Sequence, residues 1–201
     1  MDFQDKKTLF NVRKTLLEMI QDRGYLIPEN IQSITFEQFV LMYDNKNLDI
    51  FINDVNKGKL YIHFYNEVKA FGKNDLKTIF QKVTTTYEDE NITIILLLRE
   101  KENNAVTKEL TKETYKNVEI FLKKYMRFNI THHILVPKHI VLTPEEELEV
   151  CEKYNTTKNK LPKISKLDPV AKYHGMKTDQ ICKIIRKSPE VGESIYYRVV
   201  K

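Results

Sequence analysis

Two helix starts in the last 73 residues constrain this chain more than any other feature. Thr143-Pro144-Glu145-Glu146 places a capping hydroxyl, a proline at the first helical position and a glutamate three residues after the cap, which predicts a capping box. Glu145, Glu146 and Glu147 face the positive end of that helix's dipole. Asp168-Pro169 repeats the device, and Gly175 predicts a left-handed stop after a short helix. Ile140-Val141-Leu142, Ile181-Cys182-Lys183-Ile184-Ile185-Arg186 and Ile195-Tyr196-Tyr197-Arg198-Val199-Val200 are rich in β-branched and aromatic residues, which predicts three strands, with Gly192 in the turn between the last two. Residues 129–201 therefore predict a compact α/β module, and they carry no catalytic motif.

The same residues carry a resemblance. His133-Ile134-Leu135-Val136-Pro137-Lys138-His139, Leu161-Pro162-Lys163-Ile164, Asp168-Pro169-Val170-Ala171-Lys172-Tyr173-His174-Gly175, Lys183-Ile184-Ile185-Arg186 and the pair Tyr197-Arg198 follow one another in order. Together they resemble the C-terminal domain of the eukaryotic-type DNA-directed RNA polymerase subunit 5 family, a domain that in archaeal RNA polymerases stands alone as a small separate polypeptide. The resemblance implies a small assembly domain that docks on the largest polymerase subunit and performs no chemistry. It implies partner contacts by His133, Val136, Pro137, His139, Leu161, Pro162, Asp168, Pro169, Tyr173, Arg186, Tyr197 and Arg198. There are departures. Lys177-Thr178-Asp179 stands where the family has Lys-Arg-Gly, and Ser188-Pro189-Glu190-Val191-Gly192-Glu193 where it has Ser-Glu-Thr-Ala-Gly-Arg, so Thr178 and Glu193 replace two basic residues.

The first 128 residues predict a separate domain of mixed α/β character. Leu9, Val12, Leu16 and Ile20 form one apolar stripe on a helix over 3–23, which Gly24 ends. Thr35-Phe36-Glu37-Gln38 predicts a second capping box, followed by a short helix with Phe36, Phe39, Val40 and Tyr43 on its apolar face. Leu48, Ile50 and Ile52 alternate, as do Leu60, Ile62 and Phe64, and Asn56-Lys57-Gly58 between them predicts a hairpin. Asn74-Asp75 predicts a helix start. The run Ile92–Leu98, apolar apart from Thr93, predicts a strand buried on both faces, joined by a crossover to a mixed sheet. Glu100–Thr114 is polar and predicts a surface helix or loop, and Val118–Leu122 and Tyr125–Ile130 predict strands. Arg13-Lys14-Thr15 with Asp22-Arg23-Gly24-Tyr25-Leu26 resembles the start of the subunit 5 N-terminal domain, a truncated endonuclease-like fold placed in the polymerase jaw. The expected fold class is α+β, with a jaw domain over 1–128 and an assembly domain over 129–201.

Charge and composition narrow the function. The formal net charge is +5, and nine basic residues against two acids fall between Lys158 and Lys187. Lys158, Lys160, Lys163, Lys166 and Lys172 are the candidates for a DNA-proximal face, and such a face also suits a free nucleic-acid-binding module. Asp54 with Glu67 and Lys69 offers a second alternative, a metal-dependent nuclease, since an acid on one strand and a Glu-x-Lys on the next can hold a divalent ion beside an activated water. His132, His133, His139 and Cys151 match no zinc spacing. With five glycines and no Gly-rich phosphate loop or nucleophile elbow, no cofactor or small-molecule substrate is expected. No apolar run approaches the ~18 residues of a membrane helix, no secretion signal is visible, and the two cysteines suit a reducing compartment. The expected role is a non-catalytic polymerase subunit whose partners are the largest subunit, other polymerase subunits and downstream duplex DNA. Its expected location is the nucleus if cellular, or the host cytoplasm and virion if encoded by a large DNA virus.

Overall fold

A computed structural model describes residues 3–67, 69–89, 91–188 and 192–201, apart from the side chain of Ser188. The chain divides into two compact units, Met1–Phe128 and Asn129–Lys201. The class is α+β.

The first unit opens with α1 (Phe3–Asp22), whose buried positions include Leu9, Val12, Leu16 and Ile20, and Gly24 beyond it takes the left-handed φ of 86°. A four-residue turn of helix, α2 (Glu29–Gln32), then leads to α3 (Phe36–Asp44). At α3, Thr35 Oγ1 accepts from the Gln38 N–H while Gln38 Oε1 accepts from the Thr35 N–H. Strands β1 (Ile50–Asp54) and β2 (Gly58–Phe64) pair antiparallel. α4 (Lys73–Tyr87) crosses to β3 (Thr93–Leu98), and α5 (Asn104–Leu110) crosses to β4 (Val118–Leu122). The sheet order is β1-β2-β3-β4, with β2, β3 and β4 parallel.

Strand β3 lies between two parallel neighbours, so both of its faces need cover, and five of its six residues are buried. Ile94, Leu96 and Leu98 pack with Tyr61, Val118 and Ile120 against Leu76 and Val83 of α4 and Val106 of α5. The alternate residues Ile95 and Leu97, with Ile62 and Phe64 beside them in the ladder, are buried on the opposite face. The chain following α1 reaches that face: Arg23 clamps Glu119 of β4 through two bonds of 3.1 and 2.8 Å, and lies over the Phe121 ring.

Two local expectations change. α4 begins at Lys73, because the Gly72 N–H is capped by Asp75 Oδ2 at 2.8 Å, ahead of the expected start at Asn74-Asp75. Tyr125–Ile130 is not a strand. Short 3-10 turns occupy Lys123–Tyr125 and Ile130–His132, and Tyr125 and Phe128 are exposed, so the apolar residues there do not alternate into a ladder. As expected, the polar stretch after β3 contains a mostly exposed helix, α5, which turns Val106 and Glu109 inward.

The second unit holds a four-stranded sheet of order β5-β7-β8-β6, made by β5 (Lys138–Val141), β6 (Lys163–Ile164), β7 (Ile181–Ser188) and β8 (Gly192–Val200). Gly192 is the first residue of β8, opposite Ser188, and the connecting residues 189–191, where the departing Pro189, Glu190 and Val191 fall, lie outside the described residues. α6 (Pro144–Lys153) starts with both bonds of the Thr143–Glu146 capping box. α7 (Pro169–Tyr173) starts with Asp168 Oδ1 accepting from the Val170 and Ala171 N–H groups, and Gly175 follows at φ 62°. Each face of the sheet has its own core. Leu142, Val150 and Ile181 make one, and Ile164, Ala171, Met176, Cys182, Ile184 and Val200 the other. The two-residue β6 was not expected, since a strand this short has no periodicity to read; its register with β8 is held by Val199 N–H to Pro162 O and Lys201 N–H to Ile164 O, each 2.9 Å. Among the described residues no helix is long and apolar enough to cross a membrane.

Candidate functional site

The residues of the C-terminal motifs divide into a frame and a surface. Tyr173 is buried and its hydroxyl accepts from Asn129 Nδ2 at 2.8 Å. Asp168 uses its carboxylate to cap α7. Leu161 and Tyr197 are half-buried in the core beneath α6, with the Tyr197 ring 5.6 Å from that of Tyr154. Pro162 contributes its carbonyl to β8 while its ring is exposed. These residues fix the module's shape.

The surface begins at the turn His133-Ile134-Leu135-Val136. The Val136 N–H donates to the His133 carbonyl at 2.8 Å, and the Leu135 N–H to His133 Nδ1 at 3.2 Å. Ile134 and Leu135 therefore occupy the two central positions of a tight turn, which point outward, and they are 94% and 82% exposed. Pro137 follows, its carbonyl bonded by His139 Nδ1 at 2.7 Å, which orients the His139 ring on β5. Pairing puts His139, Ile184 and Tyr196 in one row of the sheet, because His139 and Tyr196 both lie opposite Ile184. Arg186, further along β7, lies over the Tyr196 ring at 5.5 Å. Arg198 is exposed and donates to the Lys163 carbonyl at 3.3 Å, and Pro169 is exposed at the start of α7.

The lysines lie on separate local elements. Lys158 is tied to the buried carboxylate of Glu147 and donates to the Asp179 carbonyl at 3.2 Å. Lys160 is exposed on the 3-10 turn Lys158–Lys160, Lys163 on β6 and Lys166 in the turn that follows it, and Lys172 is half-buried on α7. Of the two family departures, Thr178 is exposed, and Glu193 sits 3.8 Å from its cross-strand neighbour Lys187.

The nuclease set is not assembled. Asp54 lies opposite Gly58 at one end of the seven-residue β2, whereas Glu67 lies past Phe64 at the other end, ~20 Å away at the rise of a strand. The Asp54 carboxylate accepts from the backbone N–H groups of Leu26, Asn56 and Lys57 at 2.7, 2.8 and 2.9 Å, and these bonds hold its pKa below the ordinary carboxylate value. It shapes the hairpin and the chain after α1. Glu67 receives the Tyr65 hydroxyl at 3.4 Å, Lys69 lies 3.8 Å from Asp75, and Val68 between them lies outside the described residues. Among the described residues no three metal-ligating groups come together.

Two groupings in the first unit have no signal in the sequence. A cleft of about 790 Å³ is lined by Asp49, Tyr61, His63, Glu67 and Lys82 among others. There Asp49 accepts from the Tyr61 hydroxyl at 2.6 Å, from His63 Nδ1 at 2.9 Å and from the Phe64 N–H at 3.1 Å. The second grouping is the contact of Lys123 Nζ with Asn66 Oδ1, made across 57 residues of sequence.

The fold and surface define a class: a two-unit α+β chain that exposes the apolar pair Ile134 and Leu135 on its second unit and, among the described residues, gathers no metal-ligating cluster. Residues 4–83 match the family described as RNA polymerase Rpb5, N-terminal domain, and residues 128–200 match RNA polymerase Rpb5, C-terminal domain. The chain belongs to the RNA polymerase Rpb5 family. It is similar to the DNA-directed RNA polymerases I, II, and III subunit RPABC1 of Caenorhabditis elegans, 31% identical over 205 residues, covering 96% of this chain and 95% of that one. The RPABC1 subunit of Dictyostelium discoideum is likewise 31% identical, over 202 residues and 98% of each chain.

Proposed function

We propose that this chain is a non-catalytic subunit of a multisubunit DNA-directed RNA polymerase. Its C-terminal unit docks on the largest subunit, and its N-terminal unit forms part of the jaw beside incoming downstream duplex DNA. The polymerase is nuclear in a cellular source, and cytoplasmic and packaged in the virion for a large DNA virus. The family and its relatives, whose names are those of polymerase subunits, support this reading.

The observation that carries the docking role is the turn at His133–Val136. Two large apolar side chains, Ile134 and Leu135, stand almost fully in water within the motif that the family shares. An exposed pair of this kind suits a partner surface. His139, Arg186 and Arg198 supply polar contacts on the sheet of the same unit.

Co-purification tests it. The tagged full chain should bring down the large polymerase subunits. Ile134→Asp with Leu135→Asp should reduce recovery by more than about tenfold, because burying each such side chain is worth roughly 1.5–3 kcal/mol. Both positions are exposed, so the variant should melt as the parent does. Full recovery with the double variant, or no polymerase subunit with the parent, would overturn the proposal.

A further inference from the structure

Strands β2, β3 and β4 are parallel neighbours, so their carboxyl ends share one edge of the sheet. In sheets of this kind ligands bind in the crevice outside those ends. The residues just past them are Asn66 after β2, Arg99 after β3, and Lys123 and Lys124 after β4. Lys123 is half-buried, and its Nζ donates to Asn66 Oδ1, a neutral acceptor. Among the described residues neither Lys123 nor Arg99 has a carboxylate within ion-pair distance. Burial, then the nearby charge of Arg99, lower the Lys123 pKa to about 8, with Asp5 on α1 acting the other way. Glu67, Glu100 and Lys69 line a small recess beside Arg99.

A half-buried ammonium next to a second cation, with only an amide oxygen for a partner, is electrostatically under-compensated. A bound anion relieves the loss of hydration and the repulsion together. We propose that Lys123, Arg99 and Asn66 form a binding site for a phosphate-type oxyanion. Arg99 offers the planar fork that suits two oxygens of such a group, Lys123 a compact charge, and Asn66 an amide Nδ2 donor beside the Oδ1 that holds Lys123. Lys124 is the next residue in the chain and is exposed, its Nζ 4.8 Å from the Tyr125 ring centre. The phosphate belongs either to a free phosphate group or to a nucleic-acid backbone. In the second case the site gives the N-terminal unit a direct contact in the assembly proposed above.

The test is lysine side-chain NMR on the full chain, labelled with 13C and 15N at lysine. It is titrated with pH in chloride, in inorganic phosphate at matched ionic strength, and with a short duplex DNA. In the presence of the bound group the Lys123 titration should move up from about 8 towards the ordinary lysine range, while exposed Lys160 stays where it was. Arg99→Gln, at an exposed position, should weaken the response by about tenfold with the fold intact. A response to inorganic phosphate assigns the site to free phosphate groups, and a response to duplex alone assigns it to the backbone. No response to either, or the same shift at every lysine, would overturn the proposal. The readout does not depend on polymerase association, so failure of co-purification would leave it standing.

Discussion

Replacing Glu147 should destabilise the C-terminal unit more than any exposed charge does. Glu147 lies on α6, is 5% exposed, and accepts from the Ile181 N–H at 2.6 Å. Its other oxygen holds Lys158. Ile181 is the first residue of β7 and is fully buried, so no water reaches its N–H once the carboxylate is gone. An orphaned buried donor costs about 1–3 kcal/mol. The pair with Lys158 adds little, because the lysine side chain is 40% exposed and returns to water. Glu147→Ala should therefore cost roughly 2–4 kcal/mol with the lost packing included. Glu147→Gln retains an acceptor for Ile181 and should cost about half as much, and Lys158→Met should cost less than about 1 kcal/mol. Urea unfolding of the full chain, followed by amide spectra of residues 129–201, measures the series, and hydrogen exchange at the Ile181 amide reads the bond directly. If Lys158→Met is as costly as Glu147→Ala, or Ile181 exchange is unchanged in the alanine variant, the ion pair and not the buried N–H governs, and the reasoning fails.

Asp49 predicts an acid-sensitive first unit. Burial raises its pKa, but the hydrogen bond and charge of His63, the Tyr61 hydroxyl and the Phe64 N–H more than offset that and leave it below 3.8. A depressed folded-state pKa means that the unfolded chain binds the proton first, so the stabilisation is present above pH 3.8 and is lost as pH falls through the folded value. Thermal melts of Asp49→Asn against the parent should converge as pH falls below about 4, and a constant difference down to pH 2 would refute this. Burial pushes the Cys182 thiol to about 11, so in the folded chain a thiol reagent at mildly alkaline pH should modify half-buried Cys151 and spare Cys182; equal rates at both would contradict the structure. Because Lys158 is tied to Glu147 and the other lysines are spread over separate elements, the free chain should bind duplex DNA only at micromolar or weaker levels, with strong salt dependence. Nanomolar binding at physiological salt that Lys163→Glu with Lys166→Glu abolishes would favour the free nucleic-acid-binding reading instead.

The sequence by itself determined the features whose causes lie within a few residues. Thr35 with Gln38, Thr143 with Glu146 and Asp168 with Pro169 start helices because cap and capped N–H are neighbours in the chain. Gly24 and Gly175 take left-handed φ values that suit glycine. The run into β3 could be stable only between two covered faces. The turn at His133–Val136 was present as a motif, but its physical character was not, because the outward display of Ile134 and Leu135 follows from the hydrogen bond that closes the turn.

Tertiary structure alone decided what the charged residues do. Asp54 looked like a ligand and proved to be a backbone cap, since three N–H groups, one of them 28 residues away, converge on it. Lys158 looked like part of a solvent face until Glu147 came within reach across 11 residues, and Glu119 found Arg23 across 96. Asn66, Arg99 and Lys123 share one edge of the sheet only because three parallel strands end there. A cap or a turn is settled by short-range geometry, whereas a charge acquires its role from whichever group folding brings beside it and from how much water folding removes, and neither quantity is written in its local sequence.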